Sequence, residues 1–335
     1  MKKLLTTFLV VAVTALLLAY SLWHVDLTAL GTVLAAADYG YAAPFLATLT
    51  LFFWLKAWRW TLILEPLGHY SVRQVSPTMM IGFAANNVLP AHLGEIVRSL
   101  WFARQHQVRV SGVLVSLVLE RILDVVAIVL LYLLAVPWIE HPPVAIRFSV
   151  WLAGALAAIL AIVIYLMLAS PPRMFRLWKL LGARLPAWIR SRGETMLADV
   201  LQALSCVRSP ARLLILTLNS LVQWSLMAVC VWMSVAAVGI SIGPAVTVVV
   251  LTATVVAVTL PNAPGYLGAL QAAFVFALQP FGLSSESAFA ASVLYLVGNW
   301  VPITLAGGLF MLVARTRADG RAEKPVRSGH SFFLW

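Results

Sequence analysis

Charge is what this sequence has least of. Asp, Glu, Lys and Arg make up only 10% of the 335 residues while 62% are hydrophobic, and acidic residues number 12 against 23 basic ones. That shortage, a mean hydropathy of +0.95 and repeated apolar runs of about 18 or more residues describe a polytopic helical membrane protein rather than a soluble domain. Cysteine is nearly absent too: Cys206 sits beside a basic loop and Cys230 in an apolar run, which excludes a disulfide framework and a cysteine metal site. The formal charge of +11 could suggest nucleic acid, but that needs a basic face on a soluble module. Here Lys and Arg fall between apolar runs, as topology signals and lipid-headgroup contacts. Enzyme signatures are missing as well, with no HExxH, GxSxG or Walker A motif, no paired Cys/His spacing and no Asp-rich sugar-nucleotide motif. The expectation is a non-enzymatic protein with no cofactor and no metal.

The amino terminus, Met1-Lys2-Lys3 and an apolar run to about Trp23, has the look of a signal peptide, with small residues at Ala19-Tyr20-Ser21. Because the run is nearly long enough to span a core of roughly 30 Å, it is taken as an uncleaved first transmembrane helix. The loop from His24 to Gly40 has no Lys or Arg and is placed outside. Helix two, Tyr41 to Leu64, ends in Lys56, Trp58, Arg59 and Trp60, a cluster of the kind that anchors a helix end at the cytoplasmic interface; Trp and Tyr elsewhere are assigned to interface belts. The apolar segment Pro77 to Leu89 is too short to span comfortably and breaks at Leu89-Pro90, since proline disfavours helix in its predecessor. A second short helix, Glu95 to His106, follows, and the pair is predicted to form a re-entrant hairpin around Pro90 and Gly94. Broken backbone at membrane depth is tolerated where it is buried in protein or lines a cavity.

Helix three, Gly112 to Val136, carries Glu120, Arg121 and Asp124; helix four, Phe148 to Ala169, returns to a basic loop, Ser170 to Arg212. Met174, Leu177, Trp178 and Leu181 in that loop share a helical face, predicting an interfacial helix on the anionic inner leaflet. Helix five, Leu213 to Val238, precedes another apolar segment, Ala245 to Leu260, that stops at Pro261-Asn262-Ala263-Pro264-Gly265-Tyr266-Leu267-Gly268 before the short helix Ala269 to Phe281. A final helix, Ser287 to Val313, leads to a polar tail, 314–335, expected to be disordered and cytoplasmic. Pro90-Ala91-His92-Leu93-Gly94 aligns with Pro264 to Gly268 at Pro, Leu and Gly, and Asn87 and Asn262 precede the two breaks. Parity puts the first break on the cytoplasmic side and the second outside. The expected architecture is therefore all-α: about six full transmembrane helices plus two broken hairpins, arranged as an inverted repeat in one domain spanning 1–313.

Polar groups concentrate between Asn86 and Asp124: Asn86, Asn87, His92, Glu95, Arg98, Glu120, Arg121 and Asp124. Glu120 and Asp124 share a helical face, Arg121 can pair with Asp124, and Glu95 with Arg98. Each unpaired charge near the bilayer centre costs roughly 2.5–3.5 kcal/mol on insertion scales, so the five ions are expected to form one network. Two readings stay open: the ions pin the hairpin to helix three, or Arg98 and Arg121 serve anionic headgroup binding or proton-coupled gating. His92 could titrate near neutral pH. Asn86, Asn87 and Asn262 are expected to satisfy freed backbone groups.

At these residues the chain resembles the lysylphosphatidylglycerol synthase transmembrane-region family, also called flippase-like domain proteins. The likeness lies in Asn87, Leu89-Pro90, Gly94-Glu95, Arg98, Glu120-Arg121 and Asp124, with Pro264, Gly265 and Gly268 later on, and covers about residues 4 to 313. One departure is that family members often carry an Arg in the last helix after a Leu-Tyr pair; here the sequence is Leu294-Tyr295-Leu296, with Asn299 the nearest polar group. The resemblance implies a bacterial inner-membrane protein related to the lipid-translocating part of aminoacyl-phosphatidylglycerol synthases, and the distribution of Lys and Arg puts both termini in the cytoplasm. It implies no aminoacyl transfer, which belongs to a soluble domain. The function expected is a lipid flippase or lipid-handling transporter for an anionic, aminoacylated or isoprenoid-type lipid. Alternatives are a partner presenting lipid to a cell-envelope enzyme and a small-solute transporter. The partners implied are membrane lipids, not nucleic acid.

Overall fold

The computed structural model describes residues 25–89, 92–169, 176, 178–180, 186–203, 209–259 and 264–322. All regular structure among them is helical. The first helix, α1 (Leu27–Ala35), lies where the sequence suggested a plain outer loop. Asp26 creates it by accepting hydrogen bonds from the Thr28 and Ala29 amides at 2.7 and 3.3 Å, satisfying two donors a helix start leaves orphaned. These bonds hold the Asp26 carboxyl below its ordinary value of 3.8, the Thr28 amide contributing most.

Helix α2 (Ala42–Leu64) is stopped by a 3-10 turn containing Pro66. Helix α3 (Val72–Val88) begins earlier than its apolar run, because Gln74 reaches back to accept from the Ser71 amide at 2.8 Å. Pro77, inside the helix, removes the backbone bond to the Arg73 carbonyl and crowds it, near the helix start where few bonds are at stake. The expected break follows: Leu89 is extended, His92 is left-handed at φ 56°, and α4 (Leu93–His106) begins with Glu95 in its first turn and Arg104 and His106 in its last, complementing the helix dipole. Next come α5 (Val110–Ala135), α6 (Val144–Ala169) and α7 (Ala187–Ala203). Helix α7 was not anticipated within the basic loop, and the interfacial helix predicted around Met174–Leu181 lies largely outside the described residues. Helix α8 (Pro210–Ala236) and α9 (Pro244–Thr259) precede the second break. Its described part holds Gly265, Tyr266 and Gly268 at φ 79°, 58° and 82°. Helix α10 (Ala269–Leu278) starts there, and α11 (Ser285–Ala322) runs on past Val313, so the polar tail begins as helix rather than as disordered chain.

Two of the described helices, Pro210–Ala236 and Ser285–Ala314, are long and apolar enough to cross a membrane by themselves. Helix α5 is long enough but interrupts its apolar run with three charges. The hairpin arms α3 and α4 pack on one another, α11 packs on α3, and the turn at 264–266 also rests on α3, so the second break meets the first hairpin directly. Two apolar clusters hold the bundle. One includes Phe45, Leu49 and Phe52 of α2, Tyr132 of α5 and Met227 of α8; the other includes Trp60 and Ile63 of α2, Val113 and Leu117 of α5 and Leu216 of α8. Between them, at Lys56 and Arg59 of α2, Glu120 and Asp124 of α5 and Ser220 and Trp224 of α8, the core becomes polar.

Candidate functional site

The polar layer is one continuous ion network. Glu120 accepts from Arg98 Nη2 at 3.0 Å on one oxygen and lies 2.9 Å from Lys56 Nζ on the other. Asp124 pairs with Arg59 Nη2 at 2.6 Å and Lys56 Nζ at 3.1 Å, and accepts from the Trp224 indole at 3.1 Å. Arg59 also donates to Ser220 Oγ at 2.6 Å. Arg121 Nε lies 2.9 Å from Glu95, with its Nη1 3.8 Å from Asp124. Four helices thus contribute to one site: α2, α4, α5 and α8.

Glu95, Arg98, Glu120, Arg121 and Asp124, all singled out in the sequence, meet here; Arg121 reaches Asp124 as the helical spacing suggested, at 3.8 Å, but Glu95 and Arg98 take other partners. Glu95 and Arg98 do not pair with each other. Each crosses to α5, Glu95 to Arg121 and Arg98 to Glu120, which ties the hairpin to that helix from both sides. Sequence reasoning missed Lys56 and Arg59, taken as interface anchors. Their exposures are 2% and 0%, and they supply the cations for Asp124. Trp60, assigned to the same anchor, is fully buried, donates to Ser116 Oγ at 3.1 Å and lies 3.6 Å beneath the Arg98 guanidinium. The signal was available: Lys56 and Arg59 are three residues apart on one face, and Lys56 lies two turns inside the end of α2.

Burial divides the network. The Lys56, Arg59 and Arg98 side chains are at most 3% exposed, and Arg59 Nε and Arg98 Nε have no hydrogen-bond partner among the described residues. Arg121 and Glu95 instead form a mouth, with side chains 43% and 30% exposed. His92, half-buried, stands at the same mouth with its ring 6.1 Å from that of Tyr266, so residues of both breaks face each other there.

The other break residues pack the hairpin instead of lining open space. A Cβ on Gly94 would run into Gly82 O and come within 2.6 Å of Asn86 N, so the hairpin arms touch backbone to backbone. Asn86 is buried with its Oδ1 unpartnered among the described residues. Asn87 donates to Trp300 O at 3.3 Å and Thr304 Oγ1 at 2.9 Å, while Trp300 Nε1 donates to Asn87 O, joining α3 to α11. Gly265 packs beside Trp300 and Asn87, and Gly268 donates its amide to Gln271 Oε1 at 2.7 Å to cap α10. Pro264 belongs to the 3-10 turn. Pro90, Pro261 and Asn262 lie outside the described residues. No group of three or more His, Cys, Asp or Glu that could hold a metal occurs among the described residues.

Alongside α10, between it and α5, α6 and α9, lies an apolar cavity of about 680 Å³ with Val129, Leu152, Val256, Ala273 and Phe276 in its walls. Its hydroxyl groups are internally satisfied: Tyr132 and Ser149 share a hydrogen bond of 2.5 Å, and Thr252 donates to Val248 O.

An ion network buried among long apolar helices and flanked by two helix breaks defines the chain as a helical membrane protein with an internal polar site. It belongs to the family described as the lysylphosphatidylglycerol synthase TM region, which matches residues 7–307. No curated protein matches the sequence. Membership accords with a membrane location and a lipid-related role.

Proposed function

We propose that this protein is a non-enzymatic lipid flippase or lipid-handling transporter of a bacterial inner membrane, with about six spanning helices, two re-entrant breaks related as an inverted repeat, and both termini in the cytoplasm. The observation that carries this reading is the pairing of the half-exposed Arg121–Glu95 mouth with a buried ion network behind it. Ionisable residues inside a membrane face a polar path when they are retained, since lipid-facing ones are strongly disfavoured. The polar mouth and the apolar cavity share helix α5 and offer separate surfaces for the two parts of an amphipathic molecule, headgroup at the mouth and hydrocarbon along α10. The basic loop between α6 and α8 suits contact with an anionic inner leaflet.

The test is transbilayer movement of fluorescent phospholipids in proteoliposomes, followed by quenching of the outer-leaflet dye. The protein is expected to accelerate movement, and Arg121→Gln, at the exposed mouth, to slow it about tenfold or more. Movement no faster than in protein-free vesicles, across anionic, aminoacylated and isoprenoid lipids, would sink the proposal.

A further inference from the structure

The charges of the network do not balance. Four cations, Lys56, Arg59, Arg98 and Arg121, face three carboxylates, Glu95, Glu120 and Asp124. Of the described carboxylates on its cytoplasmic flank, which include Glu194, Glu65 pairs with Arg212 and Asp199 with Arg109, and none forms an ion pair with the four cations. The break segments 90–91 and 260–263 and the apolar run 4–23 contain no Asp or Glu, so the sequence offers no further carboxylate at membrane depth there. The donor side tells the same story, since Arg59 Nε and Arg98 Nε are buried without an acceptor among the described residues. A surplus cation in a low-dielectric layer draws in an anion or resists further positive charge.

Geometry says where that anion can sit. Lys56 is enclosed by Glu120, Asp124 and the Phe52 and Phe83 rings; Arg98 is clamped between Glu120 and the Trp60 ring. Arg121 alone among the four has an exposed side chain, and its partner there is Glu95. We infer that the site takes a lipid headgroup of one net negative charge, a phosphodiester, on Arg121 in exchange for Glu95, and excludes headgroups of net positive charge such as aminoacylated ones. This rests on the lipid-handling reading and selects among its substrate classes. Guanidinium suits the ligand because its planar fork donates to two phosphate oxygens at once.

The experiment measures binding to the purified full chain in neutral detergent, using dioctanoyl phosphatidylglycerol (net −1), dioctanoyl phosphatidylcholine (net zero), the lysyl ester of the former (net +1) and inorganic phosphate. Phosphatidylglycerol is expected to bind at least about tenfold tighter than phosphatidylcholine and more tightly still relative to the lysyl ester. Lys56→Met, which balances the network, is expected to remove that preference, and Lys56→Met with Glu95→Gln, which restores one surplus charge at the mouth, to bring it back. If Lys56→Met does not fold, the exposed pair decides: Glu95→Gln should tighten phosphatidylglycerol binding and Arg121→Gln abolish its preference. Equal affinity for the three lipids overturns the inference while leaving lipid handling intact, whereas no binding of any lipid strikes at the lipid-handling reading itself. Phosphate binding as tight as phosphatidylglycerol overturns the lipid as the source of the anion.

Discussion

The two helix breaks use the same backbone device and carry different loads. In each, a non-glycine residue takes the left-handed conformation, His92 in one and Tyr266 in the other, and a short helix follows, at once after His92 and after Leu267 and Gly268 in the second. The first break then delivers Glu95 and Arg98 into an ion network shared with α2, α5 and α8. The second delivers no charge; its short helix is capped by Gln271 and otherwise buries apolar side chains. The device sets geometry and the side chains decide chemistry, so backbone similarity between the breaks is no guide to functional equivalence.

The comparison can be broken most forcefully at Glu120. Glu120→Gln leaves Lys56 and Arg98 buried with a weakened partner and is expected to lower stability by about 3–5 kcal/mol, read from the unfolding midpoint in detergent. A loss under about 1 kcal/mol would mean the network is solvated and the first break resembles the second. A smaller effect comes from the hairpin seam: Gly94→Ala is expected to cost about 1–3 kcal/mol, because the new methyl meets backbone on α3. At the uncharged break, Gln271→Ala should cost only about 1 kcal/mol, the loss of one cap. Smallest is the response of α1 to acid. Since the native state depresses the Asp26 carboxyl, the stabilisation from its cap is present above the ordinary value of 3.8 and lost as pH falls through and below it. Hydrogen exchange of the Thr28 and Ala29 amides should quicken under acid relative to a Asp26→Asn control, with no change at the charged mouth.

Both breaks and the helices beside them were legible in the sequence because proline and glycine act locally, through the backbone of their own neighbours, whereas α1 and α7 fell in segments read as loops. The membership of the charge cluster was legible only on α4 and α5. Lys56 and Arg59 were hidden by their company: basic residues next to Trp near the end of an apolar run look like interface anchors, and their carboxylate partner lies 65 or more residues away. Helical spacing anticipates the Arg121–Asp124 contact but not the partners of Glu95 and Arg98. Helical spacing ranks neighbours on one helix, whereas packed helices offer closer partners across the gap, as Arg98 finds in Glu120.

Helix α3 is gripped at close range on two sides. On one, Gly82 and Gly94 bring it against α4; on the other, a Cβ on Gly307 of α11 would meet Met80 O at 2.5 Å, and Asn87 is bonded into the Trp300 turn of that helix. Seams without side chains have nothing to compress or rotate. α11, α3 and α4 are therefore expected to move together, so that a shift of α11 carries Glu95, at the lip where Arg121 is held, along with it.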